Sequence, residues 1–253
     1  MIRSIWVAIV GASILLTLGT FLIIGAYLGL PRRCYLWSGR FFSRALLWAG
    51  GTPVRVSGLE NIDRQSPQVI ASNHQSMFDV WAMAANIPVR RYHFVAKKEI
   101  RRIPIFGRAG EAAGHVYVDR GNWASAVESL KEAGRKLRED ESTAVVFPEG
   151  TRSLTGDLQK FKKGPFIMAI EAGVPIVPAV IDGTFEILPK RGLRINPQPI
   201  TVRFGEPVDT RPYTHDDRDA LIARVHALMA EMLGELRAPE GYSGPKRLAE
   251  QVA

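Results

Sequence analysis

The chain is short of the residues that build stapled or metal-centred folds. Cys34 is the one cysteine among 253 residues, which excludes an internal disulfide framework and a cysteine-built zinc site. Histidine occurs five times, and the spacings of His93, His115, His215 and His226 match no metal-ligand pattern, so no cofactor is implied. There is no G-x-S-x-G elbow, no Walker A loop, no G-x-G-x-x-G fingerprint and no H-E-x-x-H. The commonest nucleophile, nucleotide and zinc-hydrolase signatures are therefore missing. No internal repeat or low-complexity tract breaks the chain. The first 50 residues contain no acid at all, although they hold Arg3, Arg32, Arg33, Arg40 and Arg44.

What is present is a globular composition, 46% apolar and 23% charged, which rules out disorder, collagen and coiled coil. The formal charge is +8, and five of those charges sit in the acid-free N-terminal stretch. Such an excess calls for an anionic partner, either nucleic acid or a lipid surface. Its placement decides for lipid. Ile5 to Leu30 is uncharged over 26 residues, roughly 39 Å of helix against a hydrocarbon core of about 30 Å. This run is too long for a signal-peptide core, and no small-x-small cleavage site precedes the arginines. From Cys34 to Gly50, Trp37, Phe41, Phe42, Leu46, Leu47 and Trp48 alternate with Arg40 and Arg44, a composition that suits an interfacial helix. A true span and a helix pair dipping into one leaflet both fit. In the spanning case the arginines after Leu30 place the remainder in the cytoplasm. No reading helix or base-stacking motif accompanies the basic residues, so nucleic acid is not an expected partner.

After Gly50-Gly51 short apolar runs alternate with amphipathic ones. Val54–Val56, Val69–Ser72, His93–Ala96, His115–Val118, Ala144–Phe147, Ile176–Ile181 and Ile200–Phe204 read as strands. Asn122 is placed to cap a helix from Trp123 to about Arg138, with Ala126, Val127, Leu130, Ala133 and Leu137 on one face. Leu221, Ile222, Val225, Leu228, Met229, Met232 and Leu233 mark a last helix with a core-facing stripe. The alternation predicts an α/β fold, a mostly buried central sheet flanked by helices and preceded by an N-terminal hydrophobic helix or helix pair. Residues 1–50 are expected to anchor the chain, 51–238 to form the α/β domain, and 239–253 to be a mobile tail.

Four segments could carry chemistry. Asn73-His74-Gln75-Ser76-Met77-Phe78-Asp79 follows a predicted strand, where α/β sites are built. Two residues five apart lie about 140° apart on one regular helix. His74 and Asp79 meet only if His74 is on the turn before the helix and Asp79 in its first turns. There the carboxylate would orient the imidazole, leaving the other ring nitrogen to take a proton from a hydroxyl. The competing reading is a helix cap or a satisfied core polar group. Phe147-Pro148-Glu149-Gly150-Thr151-Arg152 also ends a strand, and offers an arginine and a glycine for close approach to an anion, with Glu149 orienting Arg152 or a neighbouring backbone group. A surface turn with an ion pair would look the same. Arg90 to Arg108 holds seven bases and one acid, Glu99, including Lys97. It is either a solvated face or a phosphate-facing one. Arg120 follows the strand His115–Val118 and is a further anion contact or a plain turn residue. Val174–Ala179, apolar and proline-bearing, is a sheet strand and also a candidate tunnel wall.

The motifs NHQSMFD and FPEGTR, in this order and about 70 residues apart, together with AKKEIRRIPIFG, HVYVDRG, LQKFKKGPF and VPIVPAVI, resemble those of the glycerolipid acyltransferase family, and within it the lysophosphatidate acyltransferases. The resemblance runs from about Gly58 to Gly205 and implies an acyltransferase of phospholipid biosynthesis. Carried over by position, it makes His74 the general base and Asp79 its orienting partner. Glu149, Gly150, Thr151 and Arg152 become contacts for an acceptor phosphate, and Lys97 and Arg120 further phosphate contacts. It implies lysophosphatidic acid as acceptor, acyl-CoA or acyl carrier protein as donor and co-substrate, no bound cofactor, and a catalytic domain on the cytoplasmic face of a membrane, the inner membrane in a bacterium. Relatives in the family acylate other lysophospholipids and lyso-ornithine lipids, so the acceptor is the less specific part of the resemblance, and a membrane-surface binding protein that kept the fold without turnover is the reading from another class.

Overall fold

The computed structural model describes residues 1–119 and 123–238. Two helices come first, α1 (Ile2–Tyr27) and α2 (Arg32–Gly50), followed by β1 (Val54–Ser57), β2 (Gln68–Ser72), α3 (Met77–Asn86) and β3 (Tyr92–Lys97). The chain continues through α4 (Phe106–Ala112), β4 (Val116–Val118), α5 (Trp123–Glu139), β5 (Thr143–Val146), α6 (Gly164–Ala172) and β6 (Ile176–Asp182). It closes with α7 (Thr184–Ile187), β7 (Ile200–Phe204) and α8 (Arg218–Arg237). The strands form one seven-stranded sheet in the order β1-β7-β6-β2-β5-β3-β4. Every neighbouring pair is parallel except β6 and β7.

The central strands β2 and β5 are buried along their whole length, and β6 up to its last residue. They therefore read as continuous apolar runs with no polar alternation. The alternation is between two cores instead. Ile70, Val145, Val177, Ala179 and Ile181 face a core closed by α2 and α3, with Phe78, Met83, Leu46 and Leu47. Val69, Ala71, Ala144, Val146 and Val180 face a second core closed by α5, α6 and α8, with Leu137, Phe166, Met168, Leu221, Val225 and Met229. The stripe expected on the last helix is thus core packing. The expected capping residue Asn122, the side chains of Ala126 and Val127, and the tail from 239 lie outside the described residues.

α1 and α2 form an antiparallel hairpin that turns at 28–31 ahead of Pro31. α2 ends at Gly51, whose left-handed backbone (φ 67°) brings its N–H onto the Leu47 and Trp48 carbonyls. α1 lies along the rest of the molecule at both of its ends. Arg3 donates to the Gly50 carbonyl (3.2 Å), Ser4 Oγ accepts the Ile195 N–H (2.9 Å), and the Tyr35 hydroxyl donates to the Leu22 carbonyl (3.1 Å). Only Val7 and Leu22 of α1 are buried among its large apolar side chains, while Ile5, Trp6, Ile9, Leu16, Phe21 and Ile24 are exposed. α2 adds exposed Trp37, Phe41 and Trp48 to the same hairpin, Trp37 and Phe41 stacked at 5.8 Å. This is far more exposed apolar surface than a water-facing helix pair carries. α1 is long and apolar enough to cross a bilayer over Ile2–Gly25.

Because β2, β3, β4, β5 and β6 run parallel, their carboxyl ends share one edge. That edge gathers the segments after Ser72, Lys97, Val118, Val146 and Asp182, where ligands of open α/β sheets bind.

Candidate active site

His74 lies on the turn between β2 and α3, and Asp79 is the third residue of α3. Ser76 caps the helix: its Oγ accepts the Phe78 N–H, and Asp79 closes a capping box by accepting the Ser76 N–H. This cap is what makes a spacing of five productive. Asp79, whose side chain is fully buried, receives His74 Nδ1 on Oδ2 at 2.8 Å, with the Gln75 N–H at 2.6 Å and the Ser76 N–H at 2.8 Å on the same oxygen. Its Oδ1 accepts the Thr184 hydroxyl at 2.5 Å. With Nδ1–H committed to the carboxylate, His74 Nε2 carries the lone pair, and no described residue hydrogen-bonds to it. The imidazole, 15% exposed, is stacked on Phe147 at 4.2 Å, so its plane is held from the neighbouring strand end.

The loop after β5 wraps the backbone of His74. Glu149 Oε1 accepts the His74 N–H (2.9 Å), and the Ser153 N–H donates to the His74 carbonyl (2.8 Å). Glu149 therefore orients a backbone group, one of the two roles expected of it, and does not pair with Arg152. Gln159 holds its other oxygen at 2.7 Å and also reaches the Thr151 carbonyl (3.3 Å). Burial pushes the Glu149 carboxyl up to about 7, against the pull of the His74 N–H and of Gln159. Gly150 has a left-handed backbone (φ 77°). Thr151 is exposed, and its hydroxyl accepts Lys190 Nζ at 2.7 Å. Arg152, half-buried one residue before the Ser153 contact, makes no hydrogen bond or ion pair with any described residue.

The other expected anion contacts stand further off. Lys97 ends β3, two strands from β2, so roughly 10 Å across the sheet edge. It is half exposed and paired with Glu99 at 3.2 Å. No hydrogen bond joins it to His74 or Glu149. Arg120 lies outside the described residues. The basic stretch is largely spent on neighbours: Lys98 with Asp119 (2.9 Å), Arg101 with Glu111 (2.5 Å), and Arg91 on the Asp140 carbonyl (2.9 Å). Val174–Ala179 supplies core side chains. Its strand reaches the site only through its end, where Asn73 pairs both ways with the Ile181 main chain (2.8 and 2.7 Å).

Thr184, Gln159 and Asn73 also bond to the groups of this site, and the motifs assign them no role. Asn73 stands inside a quoted motif, and its neighbourhood was the available signal. Gln159 stands inside LQKFKKGPF, and only Thr184 has no local signature.

The serine hydroxyls of the two loops are engaged with the main chain. Ser76 Oγ donates to the Leu188 carbonyl (2.8 Å), Ser72 Oγ donates to the Asn73 carbonyl (3.2 Å), and Ser153 Oγ accepts the Gly156 N–H (3.1 Å). A carboxylate-oriented histidine with a free Nε2, on a turn whose backbone is bonded to the loop of an uncommitted arginine, is an arrangement able to take a proton from a hydroxyl and to meet an anion.

Comparison with known proteins gives the class. Residues 53–182 match the Acyltransferase family model, and the chain belongs to that family. It is 35% identical over 201 residues to a 1-acyl-sn-glycerol-3-phosphate acyltransferase of Cocos nucifera, covering 79% of this chain and 64% of that protein. It is 34% identical to 1-acyl-sn-glycerol-3-phosphate acyltransferase alpha of Homo sapiens, covering 77% and 68%. The fold matches the crystal structure of the 1-acyl-sn-glycerophosphate (LPA) acyltransferase PlsC from Thermotoga maritima. The TM-score is 0.81 at 27% identity, over 95% of this chain and 97% of that one.

Proposed function

We propose that the chain transfers an acyl group from a thioester to the sn-2 hydroxyl of 1-acyl-glycerol-3-phosphate, forming phosphatidic acid. The observation that carries this is the His74–Asp79 pair with its free Nε2 beside the loop of Glu149 and Arg152. The names of the relatives supply the acceptor. Nε2 takes the hydroxyl proton as the oxygen attacks the thioester carbonyl. The tetrahedral adduct collapses, the carbon–sulfur bond breaks, and the imidazolium returns the proton to the leaving thiolate. Asp79 holds the tautomer and stabilises the imidazolium in between. No acyl-enzyme is needed, because the hydroxyl that attacks is the substrate's own. The donor is acyl-CoA or acyl carrier protein. Arg152 is the group best placed for the acceptor phosphate, and charge-assisted bonds of this kind contribute about 1.5–3 kcal/mol each.

The hairpin brings this site to its lipid substrate. Since α1 is bonded to Ile195 of the α/β domain through Ser4 and packs its Gly19 against Ile105, it fits a pair of helices lying in one leaflet better than a span that leaves the domain. The exposed Trp37, Phe41 and Trp48 belong at the headgroup level. The α/β domain would then face the cytoplasm, where the thioester donors are.

The test is acyl transfer by detergent-purified protein with acyl-CoA, and then acyl carrier protein, over a panel of lysolipid acceptors. Product from lysophosphatidate is expected, and His74→Ala should lower kcat by about 10²–10⁴. Product only from a phosphate-free acceptor would keep the chemistry and move the substrate. Unchanged turnover in His74→Ala would end the general-base assignment.

A further inference from the structure

We propose that Thr184 is a positioning residue for the reaction, the group that locks the rotation of Asp79 and so keeps its Oδ2 on His74. This rests on the general-base reading above. Four donors from described residues meet Asp79, and three of them take one oxygen: His74 Nδ1, the Gln75 N–H and the Ser76 N–H all go to Oδ2. The terminal torsion of an aspartate is broad and nearly two-fold, so without a donor of its own the buried Oδ1 would draw the carboxylate round to share the donors on Oδ2. The Thr184 hydroxyl is the contact that fixes Oδ1. It comes from the other side of the site, 105 residues along the chain, and is fully buried.

The rest of the structure holds that hydroxyl in place. Thr184 follows Asp182 and Gly183 at the end of β6. Gly183 has φ 88°, and a Cβ there would lie 2.2 Å from the Pro199 carbonyl oxygen, so the backbone is pressed against the strand it meets. Arg237, the last residue of α8, donates to Asp182 Oδ1 (2.8 Å) and to the Gly156 carbonyl (2.9 Å). Gly156 also accepts Gln75 Nε2 (2.9 Å). The loop that bears His74 and the junction that bears Thr184 are thus tied by a second route, which fixes the distance the hydroxyl must span. A core threonine serving only to fill space would need none of this.

Valine copies the shape of threonine without its hydroxyl, and serine keeps the hydroxyl. The experiment compares kcat and acceptor KM for wild type, Thr184→Val, Thr184→Ser, His74→Ala and the double variant T184V/H74A. Thr184→Val is expected to lower kcat roughly 10- to 100-fold with KM nearly unchanged, and Thr184→Ser to restore most of the rate. In the double variant the Val change should cost nothing further, since it acts through His74. If the Val protein does not fold, Thr184→Ala carries the same comparison. Wild-type kcat in Thr184→Val beside an inactive His74→Ala overturns the proposal and leaves the general base standing. A fall in the rate of Thr184→Ser as deep as that of Thr184→Val also overturns it, because the hydroxyl was retained. Full turnover in His74→Ala removes the base reading, and this proposal with it.

Discussion

Arg152 is a half-buried guanidinium that no described group claims, one residue from the backbone contact that ties its loop to His74. Holding a cation there without a partner makes sense if the partner is the acceptor phosphate. Arg152→Ala should therefore raise acceptor KM at least about tenfold, the loss of one charge-assisted bond, while kcat falls much less. Initial rates against acceptor concentration decide it, and a loss confined to kcat would mean that the guanidinium meets the transition state and not the bound headgroup. The contrast with Lys97 shows what a sequence makes legible. His74 and Asp79 are visible because a carboxylate–histidine pair across a helix start is a local arrangement, whereas the capping box on Ser76 that makes the pair meet shows only in the structure. Thr184 meets Asp79 from 105 residues away with no local pattern to mark it, and Gln159, although inside LQKFKKGPF, finds its partner Glu149 only once the loop has folded. Lys97 carried a motif signal, yet stands two strands off and paired with Glu99.

At the scale of the element, all seven strands were visible because buried β-structure concentrates Val, Ile and Phe into short runs between breakers, and the bounds differ by one or two residues at most. The strand order was not visible. Nothing local tells that β7 inserts between β1 and β6 and runs antiparallel to β6, since pairing is settled by long-range packing. The N-terminal run was read as an apolar helix from Ile5 to Leu30. It begins at Ile2 and stops at Tyr27, where the turn ahead of Pro31 sends the chain back into α2. What composition left open, span or leaflet, is addressed by the contacts of Ser4 with Ile195 and of Gly19 with Ile105, which tie α1 to the α/β domain. If the hairpin lies in one leaflet, the exposed ring pair Trp37 and Phe41 is its anchor at the headgroups. The double variant W37A/F41A should cut the partition coefficient onto lipid vesicles by at least about tenfold, with the thermal midpoint in detergent little changed because both rings are exposed. Undiminished vesicle binding would show that these rings do not face lipid, and would count against the leaflet placement.

The whole molecule has a pH response that follows from the buried His93 and Glu149 and the half-buried His115, which pull in two directions. Burial first, with the nearby Arg32 adding to it, holds His93 down to about 3 and His115 down to about 4. Their hydrogen bonds agree with neutral rings: His115 Nδ1 accepts the Phe94 N–H (3.3 Å), and Ser142, whose hydroxyl donates to the Lys136 carbonyl, leaves its oxygen for His93 Nδ1–H (3.3 Å). In the unfolded chain both rings titrate near their ordinary 6.5. As pH falls from about 6.5 towards 4, the unfolded state gains two protons that the native state refuses, and stability is lost. Glu149 works the other way. Its native value of about 7 lies above the ordinary 4.5, so between those limits the native state holds a proton that the unfolded state lacks, and acidification stabilises. Where the windows overlap, two protons oppose one. Stability should decline by about 1.4 kcal/mol per pH unit on acidification within that overlap, the worth of one net proton. Glu149→Gln removes the opposing group and should roughly double the slope, a difference that urea unfolding at pH 5.0, 5.5 and 6.0 resolves. An unaltered slope in Glu149→Gln would mean that the carboxyl titrates alike folded and unfolded. The two bonds from the His74 backbone and Gln159 would then outweigh its burial, and the loop around the base would hold a charged glutamate throughout this range.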